Sequence, residues 1–277
     1  MSPARPLPVA PELHVLAVRS PTLPPATHTN AWILGRQAPV VVDPASPWQE
    51  ERDRLAGALA PAAPQAILLT HHHHDHVSGA ADLAARTGAP IWAHAETAAR
   101  LSLPVDRLLV DEERLDLEGG VWTVLHTPGH APGHLCLLRE ADGELIAGDM
   151  VAGEGTIVLD PPEGDLALYL ASLARLQARG ARRLHPAHGP SLEDGPATLQ
   201  TYVAHRHART AQIREALARR PGSRPRDLVP LVYGELPELV QLLAARQVLC
   251  HLLWLADRQQ ARRLDDDDAG AQDRWTS

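Results

Sequence analysis

The 277-residue chain contains no lysine, no phenylalanine and a single asparagine, Asn30. The missing residues have AT-rich codons, so these gaps point to a GC-rich genome rather than to a functional demand. Arginine alone supplies fixed positive charge, and 26 arginines against 34 acidic residues leave a formal net charge of -8. That balance suits a soluble protein and counts against strong non-specific nucleic-acid binding. Four of the negative charges sit together at 265–268, so the folded body is closer to neutral. Cysteine is scarce too. Cys136 and Cys250 both lie in apolar runs, where packing in a reducing compartment is expected rather than a disulfide or metal ligation. No window approaches the length of a membrane span. The opening residues, MSPARPLPVAPELHV, are broken by four prolines and hold no apolar stretch of signal-peptide length. A cytoplasmic protein is expected.

Histidine, by contrast, is plentiful, and six residues of one stretch concentrate it. Residues 66–79 read AILLTHHHHDHVSG. The apolar run 67–69 has the length and character of a strand, and the residues after Asp75 and His76 read as a helix over about 77–87. His71 and His73 are two apart, so in extended chain they point the same way. Asp75 and His76 are adjacent and address a neighbouring point once the chain turns. The pattern H-x-H-x-D-H therefore describes two ligand pairs side by side, with His72 and His74 as spacers. An affinity tag would lie at a terminus, hold no aspartate and follow no buried-type strand.

Around this stretch the chain alternates. Short strands at 13–18, 31–34 and 40–42 make an antiparallel opening, and a helix follows at 48–60. A strand is expected at 90–93. The pattern weakens over 107–117. The strand 121–125 delivers a second informative segment, HTPGHAPGH at 126–134, whose two Pro-Gly turns hold His130 in a rigid loop. A hairpin at 135–147 ends in Gly148-Asp149, an amphipathic helix spans 165–180, and a strand at 182–184 presents His185-Pro186-Ala187-His188. Strand and helix alternation implies a layered α/β body. Beyond it come helices at 196–219, 226–233 and 237–264, with no strand expected. The domains are read as 1–215, a catalytic body; 216–264, a helical appendage; and 265–277, a disordered acidic tail.

Imidazole and carboxylate donors without thiolates suit Zn(II), and Fe(II) or Mn(II) accept the same set. His71, His73 and His130 would hold one ion with an open position. Asp75, His76 and His188 would hold a second, with Asp149 placed to bridge. Ions roughly 3.5 to 4 Å apart share a water and lower its pKa towards about 7, making hydroxide available for attack on a carbonyl or phosphoryl centre. Asp75 would also orient that nucleophile and shuttle its proton.

The order T-H-x-H-x-D-H, T-P-G-H, G-D and a late H-G resembles the metallo-β-lactamase superfamily over about residues 10–215. The resemblance implies an αββα sandwich with a dinuclear site at one edge. Position by position, His71, His73 and His130 match the first metal's ligands, Asp75, His76 and His188 the second's, and Asp149 the bridge. GDMVAGEGT at 148–156, YVAHRHARTAQI at 202–213 and GELPELV near the end resemble the beta-lactamase-like protein 2 group. That group implies a winged-helix-like C-terminal domain and, in some members, cleavage of single-stranded RNA. His134 and His185 are expected to hydrogen-bond and orient the metal ligands, and His205, Glu154 and Thr156 to contact substrate. Four functions stand: hydrolysis of an ester, thioester, lactone or phosphodiester; single-stranded RNA endonuclease; mononuclear iron persulfide dioxygenase; and a nucleic-acid-binding module with a structural metal. β-Lactamase action in a periplasm would call for an export signal.

Overall fold

The structure, a computed structural model, describes residues 5–60, 62–264 and 272–277. Branched and aliphatic runs bounded by proline and glycine become strands because their side chains pack well on a pleated surface. In chain order the elements are β1 (Leu7–Ala10), β2 (Leu13–Arg19), β3 (His28–Leu34), β4 (Val40–Val42), α1 (Gln49–Leu59), β5 (Ala66–Leu68), α2 (His74–Val77), α3 (Ala80–Thr87), β6 (Ile91–His94), α4 (Ala95–Ala98) and β7 (Arg107–Leu109). There follow β8 (Arg114–Leu117), β9 (Gly120–His126), β10 (Leu135–Arg139), β11 (Glu144–Gly148), α5 (Leu166–Ala178), β12 (Arg183–Pro186), α6 (Gly195–Arg219), α7 (Pro225–Tyr233), α8 (Glu238–Ala256), β13 (Arg262–Arg263) and β14 (Trp275–Thr276). No helix among the described residues is long and apolar enough to cross a membrane.

The chain forms two compact units. The first comprises Met1–Pro128, Pro132–Ile157 and Arg175–Pro196, the second Gly129–Ala131, Val158–Ala174 and Ala197–Ser277. Residue 215, expected to end the catalytic body, lies inside α6.

In the first unit, seven strands form one sheet in the order β1 to β7, antiparallel as far as β4 and parallel from β4 to β7. A five-stranded sheet runs β12-β11-β10-β9-β8, with only β11 and β12 parallel. Successive residues of a strand face opposite sides, and both sides of the first sheet are covered. Val40, Val42 and Leu68 pack with Trp122, Leu135 and Ile146 of the second sheet. Val41, Ile67 and Leu69 pack with Leu55 of α1 and Leu83 of α3. Burial on both faces explains why these strands read as unbroken apolar runs. Each fully buried valine, leucine or isoleucine contributes on the order of 1.5–3 kcal/mol.

The two sheets are tied at the edge where their loops carry histidine and aspartate. Leu135 N–H donates to the Thr70 carbonyl at 2.8 Å. Asn30 donates its backbone N–H to Ala187 O at 2.8 Å and its side-chain amide to Pro186 O at 3.0 Å and Gly189 O at 2.8 Å. The carboxamide nitrogen carries two N–H donors, one for each of these carbonyls, which gives the lone asparagine a structural task.

Several expectations are corrected. The single helix at 77–87 is two, α2 and α3, separated at Gly79, where a Cβ would lie 1.8 Å from the Pro44 carbonyl oxygen. The weak pattern at 107–117 holds two strands, β7 and β8, whose partly exposed, charged alternation hid them. In the second unit the last helix stops at Ala256 rather than 264, and Gln259 turns the chain with a positive φ of 58°. β13 and β14 then pair antiparallel, so the appendage is not purely helical. The expected tail falls partly outside the described residues, at 265–271. Its last part is ordered: Trp275 is buried among Ile213, Leu217, Leu228 and Leu249.

Candidate metal centre

β5 ends at Leu68, His71 to His73 continue as loop, and His74 begins α2, which places Asp75 and His76 in its first turn. Hydrogen bonds then fix how each ring points. His76 Nδ1–H donates to Asp43 Oδ2 at 2.8 Å. Thr70 Oγ1–H donates to the same oxygen at 2.6 Å, so the hydroxyl oxygen is left to accept from His71 Nδ1–H at 3.0 Å. His188 Nδ1–H donates to the His28 carbonyl at 3.0 Å, and His130 Nδ1–H to the Val158 carbonyl at 2.8 Å. Each of these four rings therefore turns Nε2 and its lone pair away from its support. His73 is the exception in presenting Nδ1, which lies 2.9 Å from His71 Nε2.

The presented atoms converge. His76 Nε2 lies 3.5 Å from Asp149 Oδ1 and 3.9 Å from Asp75 Oδ1. His188 Nε2 lies 3.5 Å from Asp75 Oδ2 and 3.5 Å from Asp149 Oδ1. Donors about 2.1 Å from a tetrahedral ion are separated by roughly 3.4 Å, so these spacings are those of a ligand shell. His76 Nε2 is buried and has no hydrogen-bond partner among the described residues. A lone pair facing carboxylate oxygens at such distances needs a positive charge between them. The donor set thus fits a divalent cation. Ligand atoms of His71, His76 and Asp149 lie within 4.8 Å of one another, as do those of Asp75, His76 and His188.

Burial is the largest influence on the His76 ring and opposes its protonation. The carboxylates of Asp149, Asp43 and Asp75 together outweigh it and hold the pKa well above the usual histidine value.

Other expected residues fall into distinct environments. His134 is buried; its Nε2 accepts from Asp149 N–H at 3.0 Å and its Nδ1–H donates to Thr127 Oγ1 at 2.8 Å. It therefore pins the Asp149 backbone, while Gly148, at φ +49°, leaves room for the ring: a Cβ there would lie 2.5 Å from His134 Nε2. His185 has both nitrogens committed, to Glu144 Oε2 at 2.5 Å and Ser191 Oγ at 2.8 Å. It braces β11 against β12, which departs from the expected metal support. Glu154 and Thr156 are exposed in the loop after Asp149, and the amides of Gly153 and Glu154 donate to the His188 carbonyl at 2.8 and 3.3 Å. His205 is exposed on α6 of the second unit.

Sequence reasoning missed Asp43. Its carboxylate accepts from Thr70 N–H at 2.8 Å as well as from the Thr70 hydroxyl and His76. It is 2% exposed and sits at φ +53°. The one available signal was an aspartate at the end of a buried strand, which the following proline made look like punctuation.

Residues 24–188 match the family described as "Metallo-beta-lactamase superfamily", and residues 225–275 match "Beta-lactamase associated winged helix domain". The second match covers α7, α8, β13 and β14 and gives the appendage its winged-helix character. The lactamase-like protein vrtG of Penicillium aethiopicum is 37% identical over 198 residues, covering 68% of this chain and 61% of its own. The beta-lactamase-like protein 2 homolog of Drosophila melanogaster is 33% identical over 198 residues, covering 67% of this chain and 66% of its own. The chain thus spans just under two thirds of either relative. The crystal structure of a beta-lactamase domain protein from Burkholderia ambifaria aligns with a TM-score of 0.86 over 98% of this chain and 93% of that one, at 24% identity, a likeness of fold.

Proposed function

The chain belongs to the metallo-beta-lactamase superfamily, and from that premise we propose that it is a hydrolase dependent on two divalent cations, cleaving an ester, thioester, lactone or phosphodiester. The observation that carries the reading is the convergence of His76, His188, Asp75 and Asp149 at 3.5–3.9 Å. In this reading His71, His73 and His130 hold one cation, Asp75, His76 and His188 the other, and Asp149 serves both. An all nitrogen and oxygen donor set favours Zn(II), with Fe(II) or Mn(II) as substitutes. Bound there, such ions supply Lewis acidity and bring the pKa of water towards neutrality.

The protein's own groups do the rest. Thr29 Oγ1–H donates to the Asp75 carbonyl at 2.8 Å and fixes the backbone of a carboxylate that is 19% exposed at its side chain. Asp75 is thus placed to take the proton of an attacking water and return it to the leaving group. Glu154, Thr156 and His205, all exposed, are proposed to meet the substrate. A cytoplasmic location is part of the proposal, supported by two free, buried cysteines.

The test is a metal count and a substrate panel on the same sample: aryl ester, thioester, lactone, phosphodiester and single-stranded RNA, with oxygen uptake on a persulfide as a further arm. Two ions per chain and hydrolysis of one bond class are expected. Asp75→Ala should lower that rate at least 100-fold. Full activity in Asp75→Ala, or a single iron with oxygen uptake, would overturn the proposal. RNA as the sole substrate would narrow it to the nuclease form.

A further inference from the structure

His130 differs from the other imidazoles of the centre in the source of its support. Its Nδ1–H donates to the Val158 carbonyl, and Val158 opens an irregular segment, 158–165, that leads into α5. No ladder of strand hydrogen bonds holds that segment in place. It is held from α8 instead: Gln247 Nε2 donates to the Leu159 carbonyl at 2.8 Å, and Arg246 donates to the Pro161 carbonyl and pairs with Asp160. Gln247 is itself braced, its Oε1 accepting from Arg206 Nη1 at 3.1 Å, and the buried Arg206 guanidinium lies 4.9 Å from the Tyr169 ring centroid.

The backbone of His130 hangs on the same frame. Asp165 N–H donates to the Gly129 carbonyl at 2.8 Å, and a Cβ on Gly129 would lie 2.3 Å from Tyr169 N. Both the ring and the main chain of this histidine, itself part of the second unit, are therefore set by other groups of that unit. The direction of an imidazole lone pair follows the acceptor on its other nitrogen. Pinning the Leu159 and Pro161 carbonyls fixes the peptide planes next to the Val158 acceptor.

We propose that Gln247 and Arg246 are positioning residues for His130, so that the contribution of His130 to cation affinity depends on α8. The inference rests on reading His130 as a ligand.

The experiment uses the full chain, stripped of metal and titrated with Zn(II) against a chromophoric chelator, and with Co(II), whose visible bands report ligand geometry. Gln247→Glu keeps an acceptor for Arg206 but has no proton for the Leu159 carbonyl. Arg246→Ala cuts the separate tie to Asp160 and Pro161, so misfolding of one variant leaves the other decisive. Each should weaken one cation about tenfold and shift the Co(II) bands, while the melting temperature of the metal-free protein stays within a few degrees of wild type. His130→Ala is the control. If His130→Ala weakens binding and neither α8 variant does, the inference is overturned and the ligand assignment stands. If His130→Ala leaves affinity unchanged, the ligand assignment itself fails, and the inference with it.

Discussion

His76 in the first unit and His251 in the second are equally buried, at 0% and 1% exposed, yet they are driven in opposite directions. Burial opposes the charged form of both. Around His76 three carboxylates overcome it and hold the ring's pKa high. Around His251 burial is reinforced by Arg206, Arg209, His205 and His207, and the pKa falls to about 3. Thr210 Oγ1–H donates to Arg206 O at 3.0 Å, leaving its oxygen to accept from His251 Nδ1–H at 2.8 Å, so the ring is held neutral. Depth in the protein therefore does not tell a proposed ligand from a packing residue. The sign of the charge gathered around the ring does.

The comparison breaks most visibly at Asp43, which supplies one of those carboxylates and orients His76. Asp43→Ala should weaken cation binding about 10- to 100-fold, read by chelator competition; unchanged affinity would mean that the ring needs no carboxylate behind it. A smaller effect sharpens the other side. The unfolded chain protonates His251 below about pH 6.5, whereas the folded chain does so only near pH 3, so the unfolded state binds more protons in between and stability drops as the pH is lowered through that window. Between pH 7 and pH 5 the loss amounts to about 2 kcal/mol. Urea unfolding at the two values should show it in wild type and not in His251→Leu; equal slopes in both would refute it. The smallest effect is a null one. At Cys136 and Cys250 the nearby Arg175 and Arg206 do not overcome burial, which pushes both thiols up to about 12. Neither should react with a thiol reagent in the native protein at pH 8, and both should react in urea.

Much of the centre was legible because strand periodicity and ligand spacing are both written in consecutive residues. Residues 71–76, 130, 149 and 188 each follow an apolar run, and a run buried on both faces announces where a strand ends. The supports were far less legible. Val158 and Leu159 act through carbonyl oxygens, which every residue has, and Gln247 is one of several polar residues on α8. Asp43 was hidden by the proline beside it. In the appendage, 257–260 reads Asp-Arg-Gln-Gln, residues at home on a helix surface, so nothing local marked the stop at Ala256. β13 and β14 are two residues each and owe their place to Trp275, whose N–H donates to the Ser223 carbonyl at 2.9 Å and whose side chain fills the core.

The separation of the donors along the chain has a bearing on how the protein is made. Residues 71–76 leave the ribosome as a ready-made histidine cluster long before His130, Asp149 and His188 exist, so an early cation meets a partial grip that discriminates little between metals. Only when the later strands dock do the remaining donors close around it. With the ligands proposed above, loading would be a late event in biogenesis, the ion acting as a rivet on the finished tertiary structure rather than a seed for it.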